Sequence, residues 1–306
     1  MPSSAESAES LTTAAGTFGV VIAINGNDYR LVLLDTNALS EFAKQGESLR
    51  HFLTWSSAQP MFVPCFSLFS VLEMRRRPDV YGRFKELFRV LPCMLVKSHG
   101  QLLEDEVRCC SDPSGIDPTL LGFSMLGGEG MDLIRVLDTA SDEEFFRGQE
   151  KYWNDGAQDI VEGIASLVAN FPPDGDTYTR DEVRHFVEIA GFSQVAMRQL
   201  DFAKEMVEID NQAVSIGAFP SVKATTYAVW HKFYADRTRK WTRSDAFDII
   251  IAAAIPYMDA VVTESHLAES LRKTKRLDDF IEHLTIHTLR DFRHSAPSAA
   301  PLEAAR

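Results

Sequence analysis

Apolar and polar positions near the start of the chain predict two strands followed by a helix. Residues 18–34 hold two apolar runs around "NGND", and because Asn-Gly favours a tight turn we expect a β-hairpin. The second run leads directly into Asp35, and a helix is expected through "ALSEFAKQG", with Gly46 as its stop. The run "PMFVPCF" predicts a short strand, after which Ser67 is placed to cap a helix that carries Glu73.

The end of the chain shows the same succession of strands and helices. Thr242 or Ser244 is placed to cap a helix through "DAFDIIIAAAI", which should end near Pro256. A strand, "DAVVTES", follows and closes on Thr263 and Glu264. A helical stretch, "LAESLRKTKRL", and a last apolar run, "LTIHTL", complete the pattern. This recurrence predicts an α/β fold in which a parallel central sheet is flanked by helices.

Residues 97–220, between these two regions, are dominated by helical patterns. Ser141 with Glu144, and Thr179 with Glu182, match the capping box found at the start of helices. We therefore expect a large helical insertion that packs beside the core and adds no strand to its sheet. The resulting division is a disordered tail at 1–16, a core formed by 17–96 and 221–294, the insertion at 97–220, and a second disordered tail at 295–306.

The composition is that of a globular protein with a sizeable core. The chain has 306 residues, of which 45% are hydrophobic and 25% charged. That length suits one large domain or two ordinary ones. The formal net charge of −13 argues against a general nucleic-acid coat protein, which would be basic. It leaves room for an enzyme that binds nucleic acid at a local patch.

Cysteine spacing and the length of apolar runs constrain the compartment. The four cysteines form no C-x-x-C pair, so a zinc site is not expected and a reducing cytoplasm fits. The N-terminus lacks the basic and apolar segments of a secretory signal, and no apolar run reaches about 18 residues. We therefore expect a cytoplasmic protein that does not insert into a membrane.

Five acids are placed where the predicted elements would bring them together. Asp35 and Glu264 each end an apolar strand, and the carboxyl ends of parallel strands share the edge where ligands bind. Glu73 lies on the helix after the second strand, while Asp245 and Asp248 are spaced i, i+3 and face the same way. Crowded carboxylates are costly unless a cation is present, and Mg²⁺ or Mn²⁺ prefers carboxylate and water oxygens. The pattern predicts a metal site at which an activated water attacks a phosphate.

Several of these acids also have a purely structural explanation. Asp35, Asp245 and Glu264 each stand where an acid could only cap a helix or favour its first turn. Glu73 could pair with an arginine three or four residues later on the same helix. Both kinds of role remain open at the level of the sequence.

The same residues resemble the motifs of the PIN-domain nucleases. That family combines an apolar strand ending in D-x-N, a Glu on the next helical segment, a helix with Asp before I-A-A, and a strand ending in Thr plus an acid. In this chain the motifs read "LLDTNALSEF", "SLFSVLEM", "SDAFDIIIAAA" and "AVVTES". The resemblance covers roughly 30–96 and 222–290 and skips the helical middle.

The resemblance implies a PIN-like core with Mg²⁺ or Mn²⁺ as the cofactor. Asp35 and Glu73 would be catalytic metal ligands. Asp248 has the spacing to "IAA" that the family's third acid has, and Asp245 could equally fill that role, since some members carry two acids here.

The fourth acid departs from the commonest family pattern. Many members carry an Asp two residues after the strand-terminal Thr, which is Thr263 here, and that position is Ser265. The acid of this chain is Glu264, one residue earlier and one carbon longer, as in some relatives. Asn37, Thr263 and Ser265 are expected to support the metal ligands.

The function implied by the resemblance is that of a metal-dependent endoribonuclease with RNA as its substrate. The alternative is a catalytically inactive PIN-like module that binds RNA or a protein. A phosphatase-like hydrolase is a weaker interpretation, because the usual Asp-x-Asp start is absent: Asn37 stands where the second Asp would be. Small PIN proteins often act as toxins held by an antitoxin, so an inhibitory partner protein is one option.

The stretch "HKFYADRTRKWTR", at 231–243, mixes basic and aromatic residues just before the acidic helix. Bases stack on aromatic rings and phosphates pair with Arg and Lys, so this stretch is expected to guide RNA to the metal. The alternative is a solvated helix end with core aromatics. The residues expected to contact phosphates are Lys232, Arg237, Arg239, Lys240 and Arg243.

Overall fold

A parallel sheet with helices on both faces forms the centre of the protein. The computed structural model describes residues 22–24, 27–58, 61–111, 115–122, 137, 143–170, 177–199, 201–202, 204, 215–236 and 242–294. The strands are β1 (Ile22–Ile24), β2 (Asn27–Leu34), β3 (Phe62–Phe66), β4 (Met94–Val96), β5 (Thr119–Gly122), β6 (Ala260–Thr263) and β7 (Thr285–Thr288).

The α-helices alternate with these strands along most of the chain. They are α1 (Thr36–Lys44), α2 (Gly46–Ser56), α3 (Leu68–Arg75), α4 (Pro78–Val90), α5 (His99–Ser111), α6 (Glu143–Asn170), α7 (Arg180–Arg198), α8 (Pro220–Val229), α9 (Arg243–Ala252), α10 (Ser265–Leu277) and α11 (Leu289–His294). Helix α8 continues into a π-helical segment, Trp230–Ala235. Within the described ranges, no helix is long and apolar enough to cross a membrane.

The strand order brings residues that are far apart in sequence to one edge of the sheet. In space the strands run β5-β4-β3-β2-β6-β7, with β1 beside β2. The strands β4, β3, β2, β6 and β7 are parallel, which confirms the predicted α/β fold with a parallel central sheet. Since β2 and β6 are neighbours, Asp35 and Thr263 meet at their carboxyl ends although 228 positions separate them.

Both faces of β2 are buried, as expected for a strand in the middle of a parallel sheet. Leu31 and Leu33 pack into one apolar cluster and Val32 and Leu34 into another, because successive side chains point to opposite faces. Helices α8 and α9 cover the first face, while α1, α2 and α4 cover the second. This two-sided burial explains why the strand reads as a continuous apolar run and does not alternate.

The N-terminal hairpin is confirmed, and the end of α1 differs from the prediction. Strands β1 and β2 pair antiparallel, with Ile24 opposite Asn27, while the turn between them and both predicted tails lie outside the described residues. Gly46 does not stop α1. Gln45 caps that helix by donating its N–H to the Glu41 carbonyl at 2.8 Å, and Gly46 begins α2.

Residues 97–220 are largely helical where they are described, but they are not separate from the sheet. Thr179 and Glu182 form the expected capping box at the start of α7, whereas Ser141 lies outside the described residues. The prediction that this block adds no strand is wrong, because β5 belongs to it and pairs antiparallel with β4. The pairing satisfies backbone groups that would otherwise remain open at the edge of β4.

A buried carboxylate joins α5 to the elements that follow the block. One oxygen of Glu106 accepts hydrogen bonds from the Ser221 N–H at 2.6 Å and the Tyr257 hydroxyl at 2.5 Å. Its other oxygen accepts from the Ser221 hydroxyl at 2.6 Å. Burial raises the pKa of Glu106 to about 7, and these three hydrogen bonds offset only part of that shift.

The Glu106→Gln variant should show a flatter pH dependence of stability than the wild type. Because burial raises the pKa from 4.5 to about 7, the free energy of unfolding falls as pH rises through this window, by on the order of 3 kcal/mol. Gln does not ionise; its carbonyl oxygen can accept from the Ser221 N–H and the Tyr257 hydroxyl, while its amide can donate to the Ser221 hydroxyl. Thermal unfolding from pH 5 to 8 measures the difference, with Glu104→Gln, an exposed position on α5, as the control. Equal slopes in Glu106→Gln and wild type would contradict this role.

Candidate metal centre

Asp35 is held at the end of β2 by donors from two elements. One carboxylate oxygen accepts from the Ala38 N–H at 2.6 Å and thereby caps α1. The other accepts from the Thr263 hydroxyl and from the Glu264 N–H, the latter at 3.1 Å. The capping interpretation is therefore confirmed, and the same carboxylate also joins the ends of β2 and β6.

Glu73 is linked to Asp35 by Thr36, the residue that follows Asp35 in the chain. It lies on α3 and accepts a hydrogen bond from the Thr36 hydroxyl at 2.5 Å. Ser70 lies 3.2 Å from the same hydroxyl, so Thr36 is fixed against α3. Sequence patterns did not single out Thr36, although its place between Asp35 and Asn37 could have suggested a supporting role.

Asp248 couples the first two acids electrostatically. Burial raises the pKa of Asp35 to about 6; its three hydrogen bonds oppose the shift, and the negative charge of Asp248 adds to it. Burial also raises the pKa of Glu73, against the hydrogen bond from Thr36, and Asp248 again adds to the shift. Asp35, Glu73 and Asp248 therefore share one negative field at the carboxyl edge of the sheet.

Lys232 neutralises the acids of α9. Its ammonium group lies 2.9 Å from Asp245 and 2.6 Å from Asp248, and only 5% of its side chain is exposed. The prediction that Lys232 contacts phosphates at the surface is therefore wrong. The π-helical segment Trp230–Ala235 carries this lysine into the protein, where the two carboxylates replace its hydration.

Asp245 combines this ion pair with the structural role that the sequence also allowed. Its second oxygen accepts from the Thr242 N–H at 2.8 Å and the Thr242 hydroxyl at 2.9 Å, which forms a capping box at the start of α9. Burial opposes ionisation of Asp245, but Lys232 and Thr242 outweigh it and hold the pKa below its usual value. Asp245 is thus committed to these two partners.

Glu264 lies at the start of α10, on the far side of Asp35. It occupies the N-cap position without capping the helix through its side chain, and it accepts a hydrogen bond from the Asn37 amide at 3.3 Å. Among the acids of the site, the one that Asn37 contacts is thus Glu264. Thr263 is bonded to Asp35, whereas Ser265 is exposed at the first position of α10.

Four of the five residues expected to contact phosphates have no described side chain. Arg237, Arg239 and Lys240 lie outside the described residues, and Arg243 is described only as the first residue of α9. The proposed phosphate contacts of these four residues remain predictions.

The donor chemistry fits a hard divalent cation, although the ligands are not preassembled. All five acids offer oxygen atoms, which Mg²⁺ and Mn²⁺ prefer. Among the described residues, however, no three acid, histidine or cysteine side chains are grouped so as to hold an ion as they stand. Lys232 donates to Asp248 at 2.6 Å, so ion binding at Asp248 would require this contact to open.

Comparisons with family models, with curated proteins and with solved structures give no match to this chain. The functional interpretation therefore depends on the geometry of this site.

The Lys232→Met variant should be strongly destabilised. Methionine retains the buried apolar stem, but it leaves Asp245 and Asp248 without their shared cation, and breaking a buried ion pair costs about 3–5 kcal/mol. Denaturant unfolding in the presence of a chelator measures the loss. The control is Lys273→Met, at an exposed position on α10. A loss below about 1 kcal/mol would show that the pair contributes no more than a surface ion pair.

Proposed function

We propose that this protein is a divalent-metal-dependent nuclease that hydrolyses phosphodiester bonds in RNA. The observation that carries the proposal is the common field of Asp35, Glu73 and Asp248 at the carboxyl edge of a parallel sheet. This edge is where α/β folds bind their ligands. Burial and the charge of Asp248 together raise the pKa of Asp35 and of Glu73, and this favours a site that a cation completes.

The side chains of this site divide into ligands and groups that position them. Asp35, Glu73 and Asp248 would hold the ion, with Glu264 at the margin. Bound Mg²⁺ or Mn²⁺ would lower the pKa of a coordinated water and offset charge on the phosphate. Thr36 orients Glu73, and Thr263 and the Glu264 N–H fix the Asp35 carboxylate at the end of β2. Such fixed orientation lowers the cost of arranging the ligands when the ion binds.

A non-cleaving module that binds RNA or a protein is the second candidate, and one observation favours it. Lys232 already supplies a positive charge to Asp245 and Asp248, so the acids of α9 are stable without an ion. In a nuclease-like fold that has lost catalysis, a lysine in place of the metal ion would keep these acids stable. Calorimetric titration with Mn²⁺ separates the candidates, because a site neutralised permanently by Lys232 should bind no divalent ion.

We propose that the protein acts in the cytoplasm. The cysteines of the described residues are free thiols, which agrees with a reducing cytoplasm, where RNA substrates are present.

The Glu73→Gln variant should lose RNA cleavage while keeping its fold. Glutamine can still accept the hydrogen bond from Thr36, and because burial already raises the pKa of Glu73, a neutral side chain should leave stability unchanged or raised. Outer-shell partners of metal ligands typically contribute 10–100-fold, so removing a ligand should reduce the cleavage rate at least about a hundredfold. Asp35→Asn is less suitable, because its amide would face donors on one side.

The assay follows cleavage of mixed single-stranded and structured RNA with Mg²⁺, with Mn²⁺ and with chelator. Glu86→Gln, an exposed acid on α4, is the matched control, and the melting temperature of each variant is measured in parallel. Wild-type and Glu86→Gln proteins should cleave only in the presence of metal. Undiminished cleavage by a folded Glu73→Gln protein, or cleavage that persists in chelator, would refute the proposed role.

A further inference from the structure

A cavity of about 460 Å³ lies directly beside the candidate metal centre. It is formed by one face of α1, the first residues of α10 and the short helix α11. Its volume is within the range of about 300–1,000 Å³ that is usual for ligand clefts. Unlike the basic stretch at 237–241, all of its lining residues belong to the described part of the chain.

The cavity is continuous with the acids through two shared residues. Asn37 and Glu264 line it, and the Asn37 amide donates a hydrogen bond to Glu264 at 3.3 Å. The N–H of Glu264 in turn donates to Asp35 at 3.1 Å. A chain lying in this cavity would therefore pass from its far wall to the metal centre without crossing another element.

One ion pair forms a rigid wall of the cavity. Arg293 donates to the two oxygens of Glu41 at 2.8 and 3.1 Å. Bonding to Arg293 lowers the pKa of Glu41, despite partial burial, so the two charges neutralise each other. Because Glu41 neutralises the charge of Arg293, this pair does not by itself attract an anion.

Two further cations of the cavity are exposed and lie outside ion-pair distance of any acid in the described ranges. They are Lys44, whose charge contributes to the lowered pKa of Glu41, and Arg290. Asn37 and Lys44 are seven positions apart, which places them on one face of α1, about 10 Å apart along the helix axis. The cavity thus runs from carboxylates at one end to two available positive charges at the other.

The start of α10 adds a third feature that favours an anion. Glu264 occupies the N-cap position, but its side chain turns to Asn37 and makes no capping hydrogen bond. The first N–H groups of this 13-residue helix are therefore not satisfied by a capping side chain, and Ser265 and His266 line the cavity. The positive end of the helix and the two cations face the same space.

We propose that this cavity binds a phosphodiester of single-stranded RNA next to the one that meets the acids. The inference rests on the proposed nuclease function and names the substrate path for that site. Lys44 and Arg290 contact the neighbouring phosphate, while Asn37 lies between the two positions. A protein with a net charge of −13 repels RNA at long range, so local contacts of this kind must provide the binding.

The double variant Lys44→Gln with Arg290→Gln tests the proposal by equilibrium binding. The full-length protein is titrated with a fluorescent uridine oligonucleotide in chelator, so that no cleavage occurs, from 0.1 to 1 M monovalent salt. Removing two phosphate contacts should flatten the slope of log K against log salt by about 1.4, because each contact to a single strand contributes about 0.7. Binding should be about 25-fold weaker at 0.1 M salt and nearly equal at 1 M.

The matched control is Lys273→Gln with Arg276→Gln, which removes the same charges from exposed positions near the far end of α10. It should bind like the wild type. If the double variant in the cavity keeps the parental affinity and slope, the cavity is not the substrate path. The same conclusion follows if an oligoglutamate peptide displaces the RNA probe from wild-type protein and binds the protein more tightly than RNA does.

Measurements of RNA binding and of RNA cleavage test the cavity and the nuclease function separately. If wild-type protein cleaves RNA and the cavity variant binds normally, the path is wrong and the nuclease stands. If the cavity variant loses binding but no metal supports cleavage by the wild type, the cavity stands as an RNA site and catalysis is refuted. Mn²⁺ affinity should be equal in the wild type and the cavity variant, because neither Lys44 nor Arg290 touches the five acids.

Discussion

Burial of carboxylates near the carboxyl ends of β2 and β6, with the charge of Asp248 added to it, determines the electrostatics of this site. Burial raises the pKa of Asp35 and of Glu73, and the negative charge of Asp248 adds to both shifts. The protein compensates with neutral donors at Asp35 and with Thr36 at Glu73. Lys232 provides the full positive charge at α9. Each compensating group is held by an element of the sheet or by a helix packed on it.

The topology makes this crowding unavoidable. A central strand that is buried on both faces must end at the edge of the sheet, and the neighbouring parallel strand β6 ends at the same place. Any polar residue that follows either strand meets the others. A fold without function at this edge would gain stability from smaller or neutral residues there, since like charges in a low-dielectric environment destabilise the folded state.

Some of this arrangement could be predicted from the sequence, and the reasons are local. Asp35 and Glu264 were recognisable because each directly follows an apolar strand, and Thr179 with Glu182 because the capping box is a short-range pattern. The parallel sheet followed from the alternation of strands and helices. These features can be recognised without knowing which distant residues they contact in the fold.

Other features depend on contacts that no local pattern contains. Lys232 read as part of a basic surface stretch, because nothing in the sequence indicates the π-helical segment that turns it inward. Strand β5 is short and lies within a helical region, so only its pairing with β4 defines it. No sequence pattern indicates the role of Glu106, because its partners Ser221 and Tyr257 are 115 and 151 residues away.

The proposed metal site requires the Lys232 ammonium to give up its place at Asp248 to a divalent ion. Crystals soaked in Mn²⁺, measured at a wavelength where manganese scatters anomalously, test this most directly. We expect an anomalous peak in contact with Asp35 and Asp248, with the Lys232 ammonium withdrawn from Asp248. The absence of a peak at this edge of the sheet, with Lys232 still bridging Asp245 and Asp248 at saturating Mn²⁺, would contradict it.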